Sequence, residues 1–180
     1  MKRFLAFSFV AFLSGCGGAA LQEPRTYDLG LNAPSVRLPP VRLGQVRAAA
    51  PFDGNEMQYR LAHRNAAEIA PFAASRWAAS PAEMLRKQLL RGAGDAPGRC
   101  VLDVEIQEFT QVFASEKASE ARVELRAALS SPSASVSRLL TLSEPSAGAD
   151  AAAGAGALAR ATDRAIVELG RWISTQSSCN

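Results

Sequence analysis

The most reactive side chains in the body of this 180-residue chain are a single histidine, His63, and two cysteines, Cys100 and Cys179. No second histidine or cysteine stands at a metal-ligand spacing from His63, so no metal site is expected. A serine, histidine and aspartate set is arithmetically available. However, no Gly-x-Ser-x-Gly elbow lies between a strand and a helix to present the serine, and His63 reads as a solvated residue at a strand end. Gly154-Ala155-Gly156 belongs to a low-complexity alanine and glycine run. It is not a phosphate cradle, and neither a Walker loop nor a Gly-x-Gly-x-x-Gly fingerprint occurs. Asp103 and Glu105 fall two residues apart on one strand face, as an acid and a base do. With no apolar wall nearby in sequence to raise either pKa, they read as a wet sheet face. A non-enzymatic protein without cofactor or catalytic residues is expected.

One cysteine has a different setting. Lys2 and Arg3 precede an apolar run from Phe4 to Leu13, which leads into Leu13-Ser14-Gly15-Cys16. These are the n-region, h-region and small-residue cleavage site of a secretory signal, and ten apolar residues fall far short of the ~20 that a helix needs to cross a bilayer. The Leu-Ser-Gly-Cys box resembles the lipobox of bacterial lipoproteins. In those proteins Cys16 would carry covalent lipid, with palmitate among its acyl groups, as the new N-terminus after residues 1–15 are removed. Each buried methylene contributes about 0.8 kcal/mol, so three acyl chains make a firm anchor. Gly17 is not the aspartate of the inner-membrane retention pattern, and outer-membrane placement facing the periplasm is expected. Residues 16–26 then form the lipidated end and a flexible tether rich in small residues.

Loss of Lys2 and Arg3 leaves 18 basic against 17 acidic side chains, and the net charge falls from +3 to +1. No basic block remains to track a phosphate backbone, so nucleic-acid binding has no support. Cys100 and Cys179 form an even pair in an oxidising compartment, which invites a disulfide; two buried free thiols are the alternative.

The elements that must position these residues begin near Tyr27. Val41, Leu43 and Val46 read as a strand, Pro51 to Asn55 as a turn, and Met57, Tyr59 and Leu61 as a second strand hairpinned to the first. Ser80-Pro81-Ala82-Glu83 is a helix start with a capping box. Ala82, Leu85 and Leu89 share one face, Arg86, Lys87 and Gln88 stay wet, and Gly92 and Gly94 are expected to end the helix through positive φ. From Cys100 the period becomes two, with Leu102, Val104 and Ile106 on one face. The shift to Phe109 and Phe113 implies a bulge near Gln107 or Glu108. Those two phenylalanines either line an apolar groove or fill the core. Val123 to Leu129 and Val136 to Leu142 continue an antiparallel meander. A terminal helix with Leu158, Ala161, Ala165, Leu169 and Trp172 on one face is expected to become ordered near Ala157, because Gly154 and Gly156 weaken its first turns. The sum is a single α+β domain over residues 27–180, a mainly antiparallel sheet with two amphipathic helices on one face.

Taken in order, several segments resemble the ABC-type transport auxiliary lipoprotein family, whose members accompany MCE-domain lipid transport systems. They are Tyr27-Asp28-Leu29, Met57-Gln58-Tyr59-Arg60-Leu61, Arg76-Trp77 followed by Ser80-Pro81-Ala82-Glu83-Met84-Leu85, and Leu102-Asp103-Val104-Glu105 leading to Phe109, Gln111 and Phe113. Val123 to Leu129 and the helix ending in Trp172 complete the set, and Phe72 stands where a tyrosine is expected. The resemblance implies an outer-membrane auxiliary component that docks with a periplasmic MCE protein, itself served by an inner-membrane permease and ATPase. It also implies a role in membrane integrity and a homo-oligomeric ring. Within it, Tyr59, Arg60, Arg76 and Trp77 are either partner contacts or a structural arginine-aromatic cluster. A lipoprotein working alone, as an outer-membrane assembly factor or a cell-wall-associated enzyme, is the second reading.

Overall fold

A computed structural model describes residues 23–32, 34–94 and 98–179. The signal segment and Cys16 lie outside the described residues. The fold is a single α+β domain in which one mixed, seven-stranded sheet is covered on one face by helices.

The sheet is organised around one long strand, β5 (Val101–Phe113). Alternation buries Leu102, Val104 and Ile106 on one face and leaves Asp103 and Glu105 half-buried on the other. The register to the next strand, β6 (Ser119–Ser130), shifts between Ile106 and Glu108, at the expected bulge. One extra residue there keeps Phe109 and Phe113 on the face that holds Ile106, opposite Val123 and Ser119. β6 pairs antiparallel with β7 (Ser135–Pro145), completing the meander.

The other edge of β5 departs from the sequence reading. β2 (Arg42–Ala48) runs parallel to its first half, with Val46 opposite Val104, and β3 (Glu56–Arg60) runs parallel to its second half, with Gln58 opposite Thr110. These strands therefore lie end to end, not as a hairpin. Residues 49–55 carry the chain forward around the bulge: Ala49 N–H donates to the Ile106 carbonyl at 2.9 Å and Phe52 is buried in the core. After a four-residue helix, α1 (Ala62–Asn65), comes a strand not read from the sequence, β4 (Ala70–Trp77), antiparallel to β3. β1 (Arg25–Tyr27) pairs parallel with the end of β4, so order reaches two residues into the segment read as tether. The two longest ladders are antiparallel and the remainder of the sheet is mixed.

Helix α2 (Pro81–Gly92) has the expected start: Ser80 Oγ accepts from Glu83 N–H, and Glu83 returns a bond to Ser80 N–H. Its other details need correction. Gln88 is buried, with its Nε2 donating to the Gly30 carbonyl at 3.3 Å. Gly92 lies inside the helix, which is capped by Ala93 in an extended conformation. Helix α3 (Ala151–Ser174) begins six residues before Ala157, because Asp150 Oδ1 caps Ala153 N–H at 2.7 Å and Gly154 fits against Gln111. Leu38 is wedged between Gly92 of α2 and Gly170 of α3, which places both helices on the same face of the sheet. Their leucines join Leu102, Leu125 and Leu129 in one core, each fully buried leucine contributing roughly 1.5–3 kcal/mol.

Candidate interaction site

Arg60 and Glu108 face each other across β3 and β5 on the side of the sheet without helices. Arg60 Nε and Nη2 donate to separate carboxylate oxygens, each at 2.9 Å. This fork geometry fixes both side chains. The hydrogen bond to Glu108 raises the pKa of the guanidinium above its already high value. Glu108 also accepts from Thr110 Oγ1. The bulge turns Glu108 toward Arg60, and no pattern in the sequence announced that partner. Beyond Arg60, the chain enters α1, where His63 is exposed and its Nδ1 lies 3.2 Å from the Phe113 carbonyl.

Behind this pair, on the helix side, Tyr59, Phe72 and Phe113 form a triad. Ring centroids are 4.7 Å apart for Tyr59 and Phe72, and 6.0 Å for Tyr59 and Phe113. Phe113 is buried, whereas Tyr59 and Phe72 are only half-buried, so the cluster opens at the end of the sheet. Trp77 belongs elsewhere: it is buried and meets Phe109 edge to face at 5.5 Å. Phe109 is therefore core, and Phe113 is core that borders an opening. Arg76 is exposed at the β1 edge, with its Nε 3.5 Å from Thr26 Oγ1.

The four residues singled out in sequence thus do not form one arginine-aromatic cluster. Strand alternation sends Tyr59 and Trp77 to the helix side and Arg60 and Arg76 to the open side. Arg60 meets the Glu108 carboxylate, not an aromatic ring. Phe72 joins the site as a half-exposed aromatic in a strand whose alanine-rich sequence had no clear period.

A second concavity, of about 510 Å³, lies between α3 and a wall that includes Leu29, Asn32, Pro34 and Ser35. Arg164 pairs with Glu144 within it, and Ser35 donates from both N–H and Oγ to Asp163 at 2.8 and 2.9 Å. Glu144 raises the pKa of Arg164, first by hydrogen bonding. The walls come from opposite ends of the chain, which is why no local motif marked it.

Asp103 Oδ1 accepts from Gln45 N–H at 2.6 Å, and Glu105 accepts from Arg47, whose hydrogen bond holds the carboxyl below its usual range. These two carboxylates serve the neighbouring strand. Among the described residues, no group of three metal-ligating side chains converges, and no helix is long and apolar enough to cross a membrane. Cys100 and Cys179 are joined by a disulfide, with Cα atoms 5.3 Å apart, tying the end of the chain after α3 to the start of β5.

No protein-family model matches the chain, and no curated protein matches it. Solved structures do. Protein XCC0632 from Xanthomonas campestris, of family DUF330, superimposes with a TM-score of 0.69 at 22% identity, over 82% of this chain and 94% of that one. An uncharacterized protein superimposes with a TM-score of 0.62 at 15% identity, over 84% of this chain and 99% of the other. The match covers nearly the whole of both neighbours, and the chain accordingly has a DUF330-like fold.

Proposed function

We propose that this protein is an outer-membrane lipoprotein that serves as a non-enzymatic auxiliary component of an MCE-type lipid transport system, docking with the periplasmic MCE protein. The observation that carries the reading is the DUF330-like fold over four-fifths of a chain in which Leu13-Ser14-Gly15-Cys16 resembles a lipobox. The order of its segments, from Tyr27-Asp28-Leu29 to Trp172, resembles the auxiliary lipoproteins of such systems. The chemistry of the domain suits docking: Arg60 with Glu108 and Arg164 with Glu144 are paired within the fold, and the half-open feature is an aromatic triad. Partly exposed aromatics and exposed arginines are the residue types that anchor protein interfaces. The docking surface in this reading is the β1–β4–β3 side of the sheet, with Tyr59 and Phe72 on its helix face and Arg76 on its open face beside β1. Transport energy comes from the partner ATPase, and this subunit performs no bond-making step.

The test is crosslinking of the lipidated protein in its native membranes, followed by capture and mass spectrometry. Recovery of an MCE-domain protein supports the reading. Recovery of cell-wall or outer-membrane assembly machinery in its place overturns it.

A further inference from the structure

Among the described residues, Leu31 and Leu90 are the most exposed large apolar side chains, at 87% and 53%. Leu90 stands on the outer stripe of α2, where Glu83, Arg86, Lys87, Leu90 and Arg91 frame a shallow depression. Leu31 follows Gly30, whose carbonyl accepts from Gln88 Nε2 at 3.3 Å and from Arg91 Nη1 at 3.1 Å. The turn is also closed from within. Gly30 N–H donates to Asp28 Oδ1 at 2.7 Å, and Gly30 adopts φ of 88°, a conformation that side chains rarely tolerate. Leu31 is therefore held outward by a built turn fastened to the helix that carries Leu90.

We propose that this patch docks on the surface of an anionic phospholipid bilayer. Three cations, Arg86, Lys87 and Arg91, surround the exposed leucine of α2. Glu83, held in the capping box, and Asp28, held by the Gly30 N–H, stand against these three cations, which leaves the patch basic. Apolar tips ringed by basic residues are the composition of interfacial membrane contacts, in which apolar insertion and attraction to anionic headgroups add. The chain outside the described residues fits this occupant. From Cys16 to residue 23 it spans at most about 25 Å, so an anchored domain stays beside its membrane. In this respect the inference rests on the lipid-anchored reading.

The test reconstitutes the full mature lipoprotein with vesicles of phosphatidylcholine, with or without phosphatidylglycerol. A polarity-sensitive dye is placed at Leu31→Cys or Leu90→Cys, with Ser137→Cys on β7 as a control. Flotation and dye emission are then read together. The expected result is flotation with both vesicle types, with a blue shift at positions 31 and 90 only where phosphatidylglycerol is present and no shift at 137. Lys87→Glu should weaken that response about tenfold or more, since each basic residue near an anionic surface contributes about fivefold. Flotation with both vesicle types while positions 31 and 90 stay in water overturns the patch and leaves the anchor standing. Flotation only with phosphatidylglycerol supports the patch and overturns the anchor. Flotation with neither overturns both.

Discussion

Arg60, the last residue of β3, reaches back to Glu108 at the bulge of β5 through two parallel hydrogen bonds of 2.9 Å, with both side chains mostly buried. Glu108 lies at the point beyond which β3 replaces β2 at the edge of β5. It also backs the strand that presents Tyr59. Removal of either partner leaves a charge in partly desolvated surroundings. Arg60→Ala and Glu108→Ala should each cost about 1–3 kcal/mol, and a double-mutant cycle in urea should give a coupling of about 1 kcal/mol or more. A coupling near zero would mean that the pair adds nothing beyond two surface charges.

Glu105 gives the domain part of its acid sensitivity. Hydrogen bonding to Arg47 comes first among the causes that lower its pKa in the folded state. A lowered folded pKa contributes stability that is present above the unfolded value and is lost as pH falls through the folded one. Glu105→Gln should therefore lower stability at neutral pH and flatten the decline on the acid side, as read by melting temperature across a pH series. An unchanged acid slope would assign that decline to other carboxylates.

Two glycines of α3 should respond to alanine with opposite signs. At Gly156 the nearest atom to a new Cβ is Arg160 Nη1 at 3.7 Å, so Gly156→Ala should stabilise by up to about 1 kcal/mol through helix propensity. At Gly154 the new Cβ falls 2.0 Å from Gln111 Oε1 and 2.5 Å from Cδ. Gln111 is fully buried and its Nε2 is held by Ser119 Oγ at 2.8 Å, so Gly154→Ala should destabilise by about 1 kcal/mol or more. Thermal melts of the two variants decide the matter, and stabilisation of both would show that Gln111 yields freely.

The Cys100 to Cys179 bridge spans 79 residues. A closed loop of that size is worth about 4 kcal/mol on the chain-entropy account. Reduction, or the double change Cys100→Ser with Cys179→Ser, should lower the urea midpoint accordingly and loosen the chain beyond α3 first. Equal midpoints with and without reductant would contradict this.

Where local chemistry decided the structure, the sequence reading carried through. Ser80 and Glu83 satisfy each other within one turn, and the phase slip from Ile106 to Phe109 admits a bulge and little else. Where tertiary contacts decided, local rules failed. Pro51 to Asn55 has the residues of a reversal, yet the parallel edge of β5 captures the chain on both sides of it. Gly92 and Gly154 look like helix breakers, but each sits inside a helix because Leu38 or Gln111 needs the space. β4 was hidden by Pro71 and a run of alanines with no period. The interaction site was legible only in part: Tyr59, Arg60, Arg76 and Trp77 were found as residues, but their division between two faces depended on the pairing of β3 with β4 and β5. Phe72 and Glu108 needed the folded chain to be seen as partners.

The docking account is tested most directly by placing a photo-crosslinking amino acid at Phe72, at Arg76 and, as a control on the opposite edge of the sheet, at Leu139, in the full lipoprotein within native envelopes. Crosslinks from positions 72 and 76 to an MCE-domain protein, with none from 139, are the predicted result. Crosslinks to that protein from 139 alone, or from no position, would contradict the assignment of this surface and its partner.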